Sequence, residues 1–169
     1  GWSRAMLLNF LDVNLYKSQG KAITNFDRQL PALQSDLAKE VIKDPYNFDF
    51  LTLTEGYREK ELEDALTNNI TKFLLELGQG FAYIGRQQPI MIGQKEMAMD
   101  LLFYHMKLRC YVVIDLKVGE FDTSYTSQIG TYVVAVNHQL KTEMDNPTIG
   151  LIICKTKDNV VAEYSLEAS

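Results

Sequence analysis

Met99–Gly119 reads MDLLFYHMKLRCYVVIDLKVG, two apolar runs joined by a short polar turn. Both runs are rich in Leu, Phe, Tyr, Val and Ile, the residues of buried strands, and the turn around Met106–Lys107 makes them a hairpin. Asp100, Asp115 and Lys117 break the pattern. A charge inside such a run is costly to bury unless it is paired or binds a metal. Side chains alternate along a strand, so Asp115 and Lys117 share a face. With an even-numbered turn, Tyr104 pairs with Arg109 and Asp100 with Val113, which sets Asp100 on that face, about one pleat from Asp115. Two carboxylates and an ammonium then converge. Hard divalent cations such as Mg²⁺ favour carboxylate oxygens and keep several waters. A Lys beside such an ion can position a water, and a metal that neutralises a phosphate lowers the barrier to phosphodiester attack. The competing reading is a salt-bridged cluster without chemistry; buried ion pairs add little net stability, which counts against it.

Working outward, Glu59–Leu77 carries the strongest helical pattern, with Leu62, Leu66, Ile70, Phe73, Leu74 and Leu77 as its buried stripe and Gly78 as its end. Glu63 falls on that stripe, whereas Glu76 shares the wet side with Lys72 and Asn69. Two short strands are expected at 81–85 and 88–92, then a turn at 93–96 and the hairpin 97–104 with 109–117. A helix is expected over 124–141, with Tyr125, Ile129, Tyr132, Val133 and Val136 inward, followed by strands at 148–155 and 159–166. The order helix, strands, helix, strands describes an α/β fold with a central mixed sheet flanked by helices. Before it, helices are expected at 3–18 and 35–42, and the aromatic stretch PYNFDFLTLTEGY reads as chain wrapped along the following domain. The division is a helical extension over 1–44, the remnant of an N-terminal domain, and a main domain over 45–169.

The chain has 169 residues and a formal net charge of −5. That balance argues against strong autonomous DNA binding, since dedicated nucleic-acid binders are usually basic; it leaves a nuclease allowed, because clustered metal-binding carboxylates are themselves acidic. No apolar run approaches the roughly 18–20 residues that span a bilayer, so no membrane partner is expected. The start GWSRAMLLNF lacks a basic leader and a cleavage site, so no signal peptide is expected, and the missing Met points to upstream sequence. Cys110 and Cys154 each fall within a strand, which fits reduced, packed thiols and a cytoplasmic location. Without paired Cys/His spacing, zinc is not expected.

Several polar residues carry two readings. Arg86 and Gln87, with Gln88, are candidates to grip a DNA backbone, or are ordinary solvated strand-end residues. His105 at the hairpin turn is a candidate phosphate contact, or a residue that hydrogen-bonds its own loop. His138 reads as helix surface, and Lys155 and Lys157 offer modest phosphate contacts.

The order helix–strand–strand–strand–helix–strand with Asp100 and then Asp115-Leu116-Lys117 resembles the PD-(D/E)XK nuclease superfamily. The longer phrases LLELGQGFAYIGRQ, MDLLFYHMKLRCYVVIDLKVG and DNPTIGLIICK resemble the bacterial YhcG-type family within it, over roughly residues 45 to 166. The resemblance implies a restriction-endonuclease-like core and metal-dependent DNA cleavage with Mg²⁺ or Mn²⁺. It implies Asp100 as central metal ligand, Asp115 as second ligand, the Leu116 carbonyl as a third, and Lys117 as the group that orients water or stabilises the transition state. A helix Glu often completes the site, and Glu63 fits that place better than Glu76. Gln128 and Tyr132, four apart on the following helix, resemble a Gln-x-x-x-Tyr element beside the site in some members; packing is their alternative role. Asp115 stands where Glu is commoner. Such nucleases often dimerise, so a homodimer is one expectation. The alternative function is a catalytically silent nucleic-acid-binding or assembly module that keeps the fold.

Overall fold

The computed structural model describes residues 46–51, 53–156 and 160–167. The helices expected over 1–44 and Lys157 lie outside the described residues. The elements run α1 (Glu59–Asn68), α2 (Ile70–Leu77), β1 (Phe81–Ile92), β2 (Lys95–His105), β3 (Cys110–Val118), α3 (Tyr125–Gln139), β4 (Ile149–Lys155) and β5 (Val160–Leu166). The strands form one sheet in sequence order, antiparallel except for the parallel pair β3–β4, which α3 connects as a crossover. This is the mixed α/β arrangement expected from the sequence.

Helices cover both faces. Leu62 and Leu66 of α1, with Phe73 and Leu77 of α2, pack on Leu101, Phe103, Ile114 and Leu116. Ile129, Tyr132 and Val136 of α3 pack on Leu102, Val113 and Ile152 of the opposite face. Each such Leu, Ile or Phe taken wholly out of water contributes about 1.5–3 kcal/mol. The aromatic strap ahead of α1 is part of this core: Phe48 meets Phe73 edge-to-face at 5.7 Å, and Phe73 meets Phe103 the same way at 5.7 Å.

Three local expectations are corrected. The single helix 59–77 is two, broken at Asn69 (φ −116°, ψ 41°), whose side-chain amide donates to the Ala65 carbonyl at 2.8 Å and so competes with the helix ladder. The strands 81–85 and 88–92 are one long β1 whose irregularity is absorbed by a register shift between Tyr83 and Gly85. The β2–β3 hairpin pairs Tyr104 with Tyr111 and Leu102 with Val113, two residues away from the expected register. The turn is set by Leu108, which is buried and donates its N–H to His105 Nδ1 at 3.1 Å, and by Arg109 at φ 56°. Because the offset is even, every side chain keeps its expected face.

Gly150 lies where α3 packs tightly on the sheet. A Cβ there would lie 2.8 Å from Ile129 Cγ1 and 2.8 Å from Val133 Cγ2. Gly150→Val is therefore expected to lower stability by about 1–3 kcal/mol through overpacking, read as a lower urea midpoint at unchanged m-value. An unchanged midpoint would mean that α3 does not press on β4 at this point.

Candidate active site

The β2–β3 ladder runs from His105–Cys110 to Leu101–Ile114 and stops there. One step further, level with Asp115, stands Asp100, and its Oδ2 accepts the N–H of Leu116 at 2.9 Å. A side-chain carboxylate thus replaces the backbone carbonyl that a continuing ladder would supply. Asp115 sits on central strand β3, opposite Ile152 of β4, and is only 4 % exposed. Its Oδ2 is buried with no hydrogen-bond partner among the described residues. Lys117 Nζ is 3.8 Å from that oxygen, which is an ion pair but too long for a hydrogen bond. The ammonium also lies 5.1 Å from the centroid of the Tyr125 ring.

These surroundings set the charge state. Burial pushes the Asp115 carboxyl up to about 8, helped by a hydrogen bond to Asp100 and its negative charge, and opposed by Lys117. Burial beside a second carboxylate thus favours the protonated form of Asp115, and a cation bound by the pair would favour its loss. The donor set suits a hard divalent ion: two carboxylates side by side, one with an unsatisfied buried oxygen, next to the Leu116 backbone. Among the described residues, no group of three or more His, Cys, Asp or Glu side chains converges on one metal position. Water and a backbone carbonyl would have to fill the remaining places, as Mg²⁺ commonly allows.

Glu63 is buried on the inner face of α1, as its spacing implies. Its carboxylate is already satisfied: Oε1 accepts from Arg86 at 2.7 Å and Oε2 from Gln87 Nε2 at 2.6 Å. Arg86 also donates to Asp64 and, at 3.0 Å, to Thr67 Oγ1. Its hydrogen bond holds the Asp64 carboxyl below the usual carboxylate range. The guanidinium considered for phosphate contact is thus directed at carboxylates on α1. Gln87 Nε2 lies 3.4 Å from Asp100 Oδ1 and joins the two groups. A cavity of about 420 Å³ lies between them, lined by Glu59, Lys60, Glu63, Arg86, Gln87 and Asp100.

The remaining candidates divide. Tyr132 donates to the Ala98 carbonyl at 3.1 Å and accepts from Gln128 Nε2 at 3.1 Å. Burial raises the Tyr132 phenol, and the charges of Asp115 and Asp100 raise it further, which sets this pair beside the site. His105 is not brought there. It is 0 % exposed at the far end of β2, its ring packed on Phe81 at 4.7 Å, and burial pushes its pKa down. Glu76 accepts the Asn47 N–H at 2.5 Å and so ties down the aromatic strap. Asp64 carries no reading in the sequence, and Tyr125 is read there only as an inward packing residue. Asp64 lies off the apolar stripe and gave no signal, whereas Tyr125 could have been found from its place in the first turn after the Asp-x-Lys strand.

A sequence model of the YhcG PDDEXK nuclease domain matches residues 39–169. The Escherichia coli (strain K12) protein named "Putative nuclease YhcG" is 35 % identical over 171 aligned positions, which cover 98 % of this chain and 45 % of that protein. The chain therefore spans less than half the length of this curated relative. Among solved structures, a repair endonuclease from Pyrococcus abyssi superposes with a TM-score of 0.43 and 22 % identity, over 63 % of this chain and 42 % of that one.

The Asp115 environment generates a pH prediction. A carboxyl whose pKa is higher in the folded than in the unfolded state binds more protons when folded, so stability falls as pH rises from the unfolded value near 4 through about 8. In chelator, melting curves from pH 5 to pH 9 should show a loss on the order of a few kcal/mol that Asp115→Asn does not share. Parallel curves for the two proteins would show that Asp115 is not held protonated.

Proposed function

Because this chain belongs to the YhcG family of PDDEXK nucleases, we propose that it is a divalent-metal-dependent DNA endonuclease whose site is the Asp100–Asp115–Lys117 cluster. The observation that carries this reading is the buried, unsatisfied Oδ2 of Asp115 beside a second carboxylate. Such an arrangement is unfavourable for stability, and a cation relieves it. Asp100, Asp115 and the Leu116 carbonyl would hold Mg²⁺ or Mn²⁺, which supplies charge neutralisation at the scissile phosphate and a more acidic water.

The chain's own groups do the rest. Lys117, paired loosely with Asp115 and backed by the Tyr125 ring, keeps N–H donors free to orient a water and to meet charge developing on the phosphate. The water oxygen bonds to phosphorus, its proton passes to solvent, and the P–O3′ bond breaks. The 3′ oxygen takes a proton from solvent and leaves as a hydroxyl, and the phosphate stays on the 5′ end. Tyr132 and Gln128 brace the β2 backbone at Ala98, two residues before Asp100.

One observation favours the rival, a silent nucleic-acid-binding or assembly module: Glu63 is spent on Arg86 and Gln87 and adds no third carboxylate to the pair. Cleavage of supercoiled plasmid with Mg²⁺ or Mn²⁺ decides. Activity should fall by about 10³-fold or more in Asp100→Ala and in Lys117→Met, but only the first should lose Mn²⁺ binding by calorimetry. A wild-type chain that binds the metal and duplex DNA yet never nicks it would establish the silent module.

A further inference from the structure

Gln87 has left-handed backbone, φ 47°, inside β1. It lies between Arg86, paired with Leu101, and Gln88, paired with Met99. Successive side chains of a regular strand point to opposite faces. Here Arg86 and Gln87 both reach one carboxylate, that of Glu63, and the left-handed residue is what allows it. Gln87 Nε2 is 2.6 Å from Glu63 Oε2 and 3.4 Å from Asp100 Oδ1. Both neighbours are carboxylate oxygens, which only accept, so the amide must present its NH₂ end to them.

The consequence falls on Asp100. Its Oδ2 is held from β3 by the Leu116 N–H at 2.9 Å, and its Oδ1 is approached from β1 by Gln87. Contacts from two strands define the plane of the carboxylate. Behind Gln87, Glu63 is fixed by Arg86, and Arg86 by Asp64 and Thr67. The series runs from α1 through β1 to the carboxylate on β2. Glu63 stands in it as an anchor rather than as a ligand.

We propose that Gln87 is a positioning residue, whose amide, anchored on Glu63, holds the Asp100 carboxylate in the orientation that receives a divalent cation. This rests on the metal-dependent reading above. Groups that orient a metal ligand in this way typically change metal affinity by about 10–100-fold when removed.

The test is Mn²⁺ titration calorimetry of the whole chain, with melting temperature measured alongside, for wild type, Gln87→Gly, Gln87→Ala and Asp100→Ala. Both Gln87 variants lose the amide, but only glycine relaxes the left-handed backbone. The expected result is Mn²⁺ affinity weakened about 10-fold or more in both, with both variants still folding cooperatively and Gln87→Gly melting above Gln87→Ala. An affinity change without a loss of fold is what a merely structural role would not produce. Wild-type affinity in Gln87→Gly, whether or not Gln87→Ala is weakened, overturns the proposal, because the amide would then be dispensable. Wild-type affinity in Asp100→Ala, or no binding in wild type, overturns the metal-dependent reading itself and this proposal with it.

Discussion

The structure turns on a carboxylate that cannot find water. Asp115 occupies the middle of a strand bonded on one side to β2 and on the other to β4, with helices over both faces. A surface Asp would rotate into solvent, and an edge-strand Asp would twist outward. Neither escape exists on a central strand whose neighbours Ile114 and Leu116 are buried among α1 and α2. The ladder stops at Leu101–Ile114 where the second carboxylate arrives, so the sheet gives way at the place where the charges meet. The fold therefore concentrates an electrostatic cost at one point.

Two buried acids show how environment divides roles. Glu63 and Asp115 are each 4 % exposed. Glu63 has both oxygens satisfied, by a guanidinium and an amide. Asp115 has one oxygen unsatisfied, a carboxyl beside it and an ammonium at only ion-pair distance. The same chemical group is thus fully paired in one place and left with an unpaired oxygen in the other. Removing Arg86 would leave Oε1 of Glu63 without its donor, as Oδ2 of Asp115 already is.

Much of this was legible in the sequence. The alternation of Met99–Gly119 was enough to bring Asp100, Asp115 and Lys117 together, and it withstood a wrong register because the error was even. The apolar row of α1 put Glu63 inside. What could not be read was which partners the inward groups would choose. Glu63 and Arg86 are 23 residues apart, and nothing in local periodicity couples them. The left-handed Gln87 is equally invisible, since glutamine carries no turn signal. His105 misled for a related reason: it closes β2 rather than standing in the turn, and its ring packs on Phe81 and accepts from buried Leu108 while Met106, Lys107 and Arg109 stay exposed.

The charge distribution adds a constraint on how such a site could work. The N-terminal turn of α1 carries Glu59 and Glu61, and Glu59 together with Lys60, Glu63, Arg86, Gln87 and Asp100 lines the cavity beside the carboxylate pair. Glu59 is close enough to help raise the Asp115 carboxyl. A polyanion approaching this face in the absence of a cation meets like charge, and within a Debye length of about 8 Å that repulsion is only partly screened. Arg86 does little to offset it, because its guanidinium is matched by Glu63 and Asp64. Under the proposed reading, the cation does more than assist the reaction. It would also offset the local excess of negative charge, which eases the approach of a phosphate backbone.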